Sequence, residues 1–179
     1  MQHFEKQLSS EVRFKGRIFT VTVDDVQLED GEKSVREIVH HHGGACILPL
    51  FDNGDICLVR QFRYAFGEEL WELPAGKLEQ GEDPFDAAKR ELQEECGLTA
   101  DHVIDLGKLY PTVGYCSEII HIYLAEGLHP TQQHLDEDEF LDVEKIPFHT
   151  ALDMVLRDEI PDAKTQLAIL KIHALRNPK

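Results

Sequence analysis

The 179-residue chain lacks several features that would assign it to common protein classes. No apolar run approaches the ~20 residues that cross a bilayer, and the N-terminus mixes charges without the hydrophobic stretch of a signal peptide. The four cysteines are scattered, with no Cys-x-x-Cys pair and no zinc-like spacing. We therefore expect no membrane partner, no disulfide or zinc scaffold, and a cytoplasmic location.

Basic residues are also scarce. The chain has only 18 lysines and arginines but 34 aspartates and glutamates, which gives a formal net charge of -16. A field of this sign repels nucleic acid, whose binding proteins normally carry basic patches. It also repels a small phosphorylated substrate, unless cations and a few arginines are concentrated at the binding site. The composition argues against a nucleic-acid partner and leaves room for phosphate chemistry that uses a metal.

The hydrophobic pattern changes near residue 42. Residues 1–42 have the pattern of a small antiparallel unit, with strands predicted at 17–28 and 34–41 around an Asp30-Gly31 turn. From residue 43 onward, helices are predicted to start near Pro84, Pro147 and Asp162. Short buried strands are predicted at 45–50, 56–59, 70–73, 103–109, 119–125 and 141–143. We therefore predict an N-terminal β element at 1–42, and a domain at 43–179 with helices on both faces of a sheet.

The first predicted helix places three carboxylates on one face. Asp83 can cap its start, and Gly97 can end it in a left-handed conformation. At about 100° per residue, Glu91, Glu94 and Glu95 lie close together, and no cation shares their side of the helix. Like charges at this spacing destabilise a bare helix, and carboxylate oxygens suit Mg²⁺ or Mn²⁺. The helix taken alone leaves two readings open, a metal site and an acidic surface.

The spacing around this helix is more specific than the helix itself. From Gly76 to Leu98 the chain follows one pattern: Gly, five residues, Glu, seven residues, Arg-Glu, an aliphatic residue, any residue, Glu-Glu, any residue, Gly and an aliphatic residue. Nine fixed positions over 23 residues are not expected by chance. The stretch resembles the signature, or box, of the Nudix hydrolases, which cleave a nucleoside diphosphate linked to another group.

The resemblance implies both a fold and a metal site. The fold would be a Nudix α/β/α sandwich with a mixed sheet, plus the small N-terminal antiparallel element. Arg90 matches the residue that positions the catalytic carboxylates, and Glu82 would be its ion-pair partner, although an exposed acid at the helix start is the alternative. Metal, as Mg²⁺ or Mn²⁺, would neutralise the diphosphate and lower the pKa of an attacking water. The family's metal ligands match Ala75, Glu91, Glu94 and Glu95.

Outside the box, the resemblance extends over residues 17–175 and is to the ADP-ribose pyrophosphatase branch. It is carried by the segments 35–39, 42–45, 58–63, 71–76 and 135–139. In relatives, arginines that match Arg36 and Arg63 contact the substrate phosphates, and Glu37 beside the first is a further candidate for substrate binding. The planar guanidinium suits phosphate oxygens. An ordinary salt bridge on a strand is the alternative for each arginine.

An acidic loop at 136–139 matches the loop whose glutamate orients or deprotonates the attacking water. Glu137 fits that position best, and Glu139 is the second choice. If neither acts, Glu94 within the box is the first candidate for the base. A solvated run of charges with no role in the reaction is the remaining alternative.

The resemblance predicts that the enzyme hydrolyses ADP-ribose to AMP and ribose 5-phosphate. It also predicts that the enzyme is a homodimer. One departure matters: Val113 stands where this branch usually has a marker proline. GDP-mannose or another nucleotide sugar therefore stays open as the substrate. A non-catalytic nucleotide-binding domain commonly loses box glutamates, and this chain keeps them. A house-cleaning enzyme for oxidised nucleoside triphosphates fits the box but not the segments around Arg36 and Glu137.

Overall fold

The computed structural model describes residues 3–136 and 139–177, which form ten strands and three helices. The helices are α1 (Pro84–Cys96), α2 (Phe148–Leu156) and α3 (Ala163–Arg176). Within these described ranges, no helix is both long enough and apolar enough to cross a membrane. The strands are β1 (Lys6–Lys15), β2 (Phe19–Gln27), β3 (Lys33–His41), β4 (Gly44–Pro49), β5 (Asp55–Arg63), β6 (Glu68–Glu72), β7 (Ala75–Lys77), β8 (Leu98–Leu109), β9 (Ile120–Pro130) and β10 (Leu141–Pro147).

The contacts divide the chain into two units, of which the first contains residues up to Gly43 and also Tyr110–Ile119. Its sheet has the antiparallel order β1-β2-β3. The strands predicted at 17–28 and 34–41 are confirmed as β2 and β3. β1 was not predicted. Every residue of β1 is exposed, so this strand is formed by pairing with β2 rather than by burial, and it has no buried face for a sequence pattern to reveal.

The second unit contains two sheets. A mixed sheet has the order β7-β4-β9-β8, in which β4 and β9 run parallel and the other pairs are antiparallel. An antiparallel sheet has the order β10-β5-β6. All six strands predicted in this part of the chain are confirmed, and most are longer than predicted. Only the three-residue β7 was missed, because so short a strand is set by its partner β4.

Alternation along β4 places helices on both faces of the mixed sheet. Ala45 and Ile47 pack in a cluster with residues of α1, whereas Cys46 and Leu48 pack in a larger cluster with residues of α2 and α3. Full burial of a leucine or isoleucine side chain, such as Leu48 or Ile47, contributes about 1.5–3 kcal/mol to the stability of the fold. The predicted α/β/α sandwich is confirmed.

Local signals fix the ends of α1. The Asp83 side chain accepts a hydrogen bond from the Phe85 N–H at 2.8 Å, and Pro84 occupies the first turn. Gly97 ends the helix with φ of 60°, a conformation that glycine adopts without strain. The helix thus begins and ends where the sequence predicts.

Candidate active site

Two of the three box glutamates are buried. Glu91 is 6% exposed and Glu95 only 1% exposed, on the face of α1 that also buries Leu92. The pKa of Glu91 is raised to about 7 and that of Glu95 to about 8, mainly by burial and in smaller part by the negative charge of neighbouring acids, Glu139 among them. Carboxylates at this depth retain their charge only at a cost unless a cation compensates them.

Strand β7, which precedes α1, packs closely against Glu91 and Glu95. The Ala75 N–H donates a hydrogen bond to Glu95 Oε2 at 2.9 Å. A β-carbon built on Gly76 would lie 1.8 Å from Glu91 Oε1. The box begins with glycine because the Glu91 carboxylate occupies the space that any other side chain would fill.

This close approach gives a test with little effect on the fold. We expect Gly76→Ala to displace the Glu91 carboxylate, since the obstructing atoms are the end of a side chain and not backbone. A misplacement of about 1 Å in a catalytic site costs on the order of 10²-fold in rate, so kcat should fall by ~10–10²-fold with a small change in melting temperature. Gly114→Ala is the control, because a β-carbon there meets nothing within 4 Å. An unchanged kcat in Gly76→Ala would remove Glu91 from the reaction.

Arg90 joins the carboxylates of the box. Its Nε donates to Glu82 Oε1 at 2.9 Å, which is the ion pair that the family resemblance implies. Its Nη1 donates to Glu91 Oε1 and to Glu94 Oε2, each at 2.7 Å. The hydrogen bond from Arg90 also lowers the pKa of Glu82. One guanidinium therefore holds three acids in fixed positions, and the expectation that no cation shares the side of the three box carboxylates is wrong, because the long Arg90 side chain reaches two of them.

The donor set suits a hard divalent cation. Its ligand atoms are all oxygens, and two of its acids are buried with excess negative charge. In residues 3–136 and 139–177, no three acids, histidines or cysteines already converge as a closed metal site. Arg90 instead occupies oxygens of Glu91 and Glu94, so a cation would share them with this guanidinium.

The acidic loop reaches the box through Glu139. The Glu139 N–H donates to the Asp136 carbonyl at 3.0 Å, and the Asp136 N–H donates back to Glu139 Oε2 at 3.3 Å. The charge of Glu139 contributes to the raised pKa of Glu91 and of Glu95. Glu137, the first choice from the sequence, lies outside the described residues.

The three residues predicted to contact substrate all lie on strands. Arg63 binds Glu72 through two bonds, Nε to Oε1 at 2.5 Å and Nη2 to Oε2 at 2.8 Å. Arg36, in the first unit, donates from Nε to Glu5 Oε2 at 2.9 Å. Glu37 is the next residue of β3, exposed and on the opposite face of the strand. Both arginines form salt bridges in this structure, and their contacts with substrate stay predictions.

The sequence analysis missed a buried network beneath Arg63. Lys164 donates from Nζ to Glu72 Oε2 at 2.5 Å and pairs with Asp162 Oδ1 at 3.0 Å. The Leu73 N–H donates to the Thr165 hydroxyl at 2.8 Å. Lys164 is only 8% exposed, although a lone lysine in the first turn of a helix normally lies in solvent. The predicted helix start near Asp162 was the only signal that pointed to this place.

Two family models match the chain. The NUDIX domain matches residues 40–167. The model described as nucleoside diphosphate sugar hydrolase N-terminal domain matches residues 5–39. Together they cover the chain from the start of the first sheet into α3, and their junction falls at the end of β3.

Individual proteins are similar over almost the whole chain. The ADP-ribose pyrophosphatase of Bacillus subtilis (strain 168) is 42% identical over 167 residues, which cover 92% of this chain and 90% of that protein. The GDP-mannose pyrophosphatase of Yersinia pestis (strain Pestoides F) is 33% identical over 179 residues, with 92% and 87% covered. A crystal structure of an ADP compounds hydrolase superposes with a TM-score of 0.84 at 25% identity, covering 96% of this chain and 93% of that one.

Proposed function

This chain belongs to the Nudix hydrolase family, and on that premise we propose that it hydrolyses ADP-ribose to AMP and ribose 5-phosphate. The chain is a pyrophosphohydrolase of nucleoside diphosphate sugars, since its relatives over nearly the full length include an ADP-ribose pyrophosphatase and a GDP-mannose pyrophosphatase. The observation that carries the proposal is the complete box, in which Glu91 and Glu95 are buried beside Arg90. A binding domain without turnover has no need of two buried acids at this cost.

A divalent cation, Mg²⁺ or alternatively Mn²⁺, belongs to the proposed reaction. Its ligands would be the carboxylates of Glu91, Glu94 and Glu95 with the backbone carbonyl of Ala75. When bound, the cation neutralises the diphosphate and lowers the pKa of the attacking water. The burial of Glu91 and Glu95 supports this ligand set, because a bound cation would offset the cost of ionising these two acids.

The chain's own residues orient the reaction. Arg90 keeps Glu91 and Glu94 in place, while Arg63, Arg36 and Glu37 would contact the substrate. Arg63 uses Nε and Nη2 to bind Glu72, and its Nη1 makes no hydrogen bond within the described residues. That group is therefore available to a phosphate oxygen.

A loop glutamate would accept the proton of the attacking water. As the water oxygen bonds to phosphorus, the bridging P–O bond breaks, and the bridging oxygen leaves on the second phosphate. The proximity of Glu139 to the box acids supports it in this role, with Glu137 and then Glu94 as the alternatives.

GDP-mannose is the second candidate substrate. The GDP-mannose pyrophosphatase of Yersinia pestis matches the chain with 33% identity, and Val113 replaces the marker proline of the ADP-ribose branch. Val113 is 85% exposed in the first unit. The identity of 42% to the Bacillus subtilis enzyme favours ADP-ribose over GDP-mannose.

A panel of nucleoside diphosphate derivatives tests the proposal. ADP-ribose, GDP-mannose and other nucleotide sugars should be compared by phosphate that becomes accessible to phosphatase, with Mg²⁺, with Mn²⁺ and in excess EDTA. We expect the highest kcat/KM with ADP-ribose, AMP as a product, and no turnover in EDTA. A higher kcat/KM for GDP-mannose would support the second candidate, and full activity in EDTA would contradict the metal requirement.

We also propose that residues 1–42 mediate a homodimer and that residues 43–179 form the catalytic domain. The first unit exposes Leu8, Val12, Phe14, Phe19 and Val35, all at least 40% accessible, and exposed apolar groups of this extent are typical of interaction sites. Light scattering should return twice the chain mass of 20.4 kDa. A single-chain mass at micromolar concentration would contradict the proposal.

The remaining proposals concern location and partners. We infer a cytoplasmic location from the four free cysteines, because secreted proteins commonly pair theirs. The net charge of -16 disfavours nucleic acid as a partner. Recovery of the protein from a secreted fraction, or binding to duplex DNA at physiological salt, would contradict these inferences.

A further inference from the structure

A chain of ion pairs runs from the core of the second unit to Arg63. It starts at Lys164, whose side chain is 10% exposed, and passes through Glu72, whose side chain is 4% exposed. It ends at Arg63, whose side chain is 39% exposed. Lys164 is buried too deeply to contact a substrate, whereas Arg63 is exposed enough to do so.

We propose that Lys164 is a positioning residue for the reaction, holding Glu72 so that Glu72 presents Arg63 to a phosphate group of the substrate. This inference rests on the proposed function, and it goes beyond it in assigning a role to a residue of α3 outside the box. Lys164 acts only through Glu72 and Arg63.

The charges of the cluster explain why a buried ammonium is needed. Two cations, Arg63 and Lys164, face two carboxylates, Glu72 and Asp162. Without Lys164, one guanidinium would face two carboxylates in a chain of net charge -16. The Arg63 charge would then be cancelled by its own neighbours, and the cluster would repel a diphosphate.

Geometry gives the second reason. Both oxygens of Glu72 accept bonds from Arg63, and Oε2 also accepts the Lys164 bond. Because the Glu72 carboxylate is bonded by both Lys164 and Arg63, its rotation is restricted. Its two bonds to the Arg63 guanidinium therefore fix the orientation of that group. Loss of the Lys164 bond would free the Glu72 side chain and, with it, Arg63.

The same turn of α3 also fixes the strand that leads into the box. Asp162 caps the helix by accepting the Thr165 N–H at 3.0 Å, and Thr165 in turn accepts the Leu73 N–H. Two residues later, Ala75 bonds Glu95. The start of α3 thus connects Arg63 with the box acids.

Arg63 opens onto space that a ligand can enter. It lines a cavity of about 320 Å³ whose other lining residues include Phe66, Glu68, Leu70, Glu72 and Asp162. A volume of this size falls at the lower end of the range for small-molecule sites. The Arg63 side chain, held by Glu72, is therefore accessible to a ligand in this cavity.

Lys164→Met tests the inference, because methionine fills similar volume without the charge. We expect KM for the preferred nucleoside diphosphate to rise at least ~10-fold while kcat changes less, since a phosphate contact exists in both the bound and the transition state. Binding of the non-hydrolysable α,β-methylene ADP-ribose, measured by calorimetry, should weaken by the same factor. Lys171→Met is the control: its ammonium bonds the Leu106 carbonyl from the same helix, so it should lower the melting temperature without raising KM.

A double-mutant cycle separates positioning from general destabilisation. If Lys164 acts through Arg63, adding Lys164→Met to Arg63→Gln should weaken binding no further, and Lys164→Arg should restore part of the affinity by returning the charge. Independent, additive losses, or an unchanged KM in Lys164→Met, would overturn the inference. If Lys164→Met does not fold, Lys164→Gln carries the same test with the same expected rise in KM, since it also removes the positive charge. A wild-type chain that hydrolyses no member of the panel would contradict the proposed function instead.

Discussion

Glu95→Gln is expected to lower kcat by at least ~10²-fold, which corresponds to about 2.7 kcal/mol of activation barrier. Glutamine keeps the size of the side chain and can still accept the Ala75 N–H bond through its carbonyl oxygen. It removes one negative charge from the proposed metal ligands, and a neutral amide is a weaker ligand for Mg²⁺. The loss should therefore appear in turnover and in the concentration of Mg²⁺ required for half-maximal rate.

The same variant should be more stable than the wild type when no divalent cation is present. Glu95 is 1% exposed, and burial together with repulsion from Glu91 and Glu139 raises its pKa to about 8, so its ionisation opposes folding as the pH rises toward that value. Replacing a buried carboxylate among like charges with an amide removes a destabilising interaction. Thermal unfolding in EDTA measures this directly.

Asp86→Asn is the matched control, since it removes one charge from an exposed position of the same helix. Its kcat should stay within a small factor of the wild-type value. If Glu95→Gln keeps near-normal kcat at low millimolar Mg²⁺, Glu95 is not a metal ligand, and the buried acids of α1 need another explanation.

Glu139→Gln is expected to lower kcat by ~10²–10⁴-fold, the usual contribution of a general base. KM and metal affinity should hardly change, because the lost interaction exists mainly in the transition state. The reason for testing this position is that the Glu139 charge acts on both Glu91 and Glu95. Steady-state kinetics at saturating Mg²⁺ give the split between kcat and KM.

Glu137→Gln, in the same loop, is the comparison that assigns the role. If Glu137 is the base, its variant will show the fall in kcat and the Glu139 variant will not. Near-normal kcat in both single variants and in the double variant would make the loop a solvated acidic turn. Glu94, held by Arg90 at 2.7 Å, would then be the residue to replace next.

The sequence by itself determined the elements that depend on local chemistry. Asp83, Pro84 and Gly97 define the ends of α1 because caps and left-handed glycines act within a few residues of the helix. The pattern from Gly76 to Leu98 indicated the family, and periodicity located the strands that have a buried face. β1 was missed because all its residues are exposed, and β7 because it has only three.

Only the tertiary structure decided which of these residues meet. The sequence placed Glu91 and Glu95 on one helix face, but the packing of α1 buries them and brings the Glu91 carboxylate to Gly76. Lys164 and Glu72 lie 92 positions apart in the chain, yet they form a buried ion pair that supports Arg63. Hydrophobic periodicity predicts which side of a helix or strand is buried. The partner of a buried charged group depends instead on how elements distant in the sequence pack together, so a local sequence pattern cannot predict it.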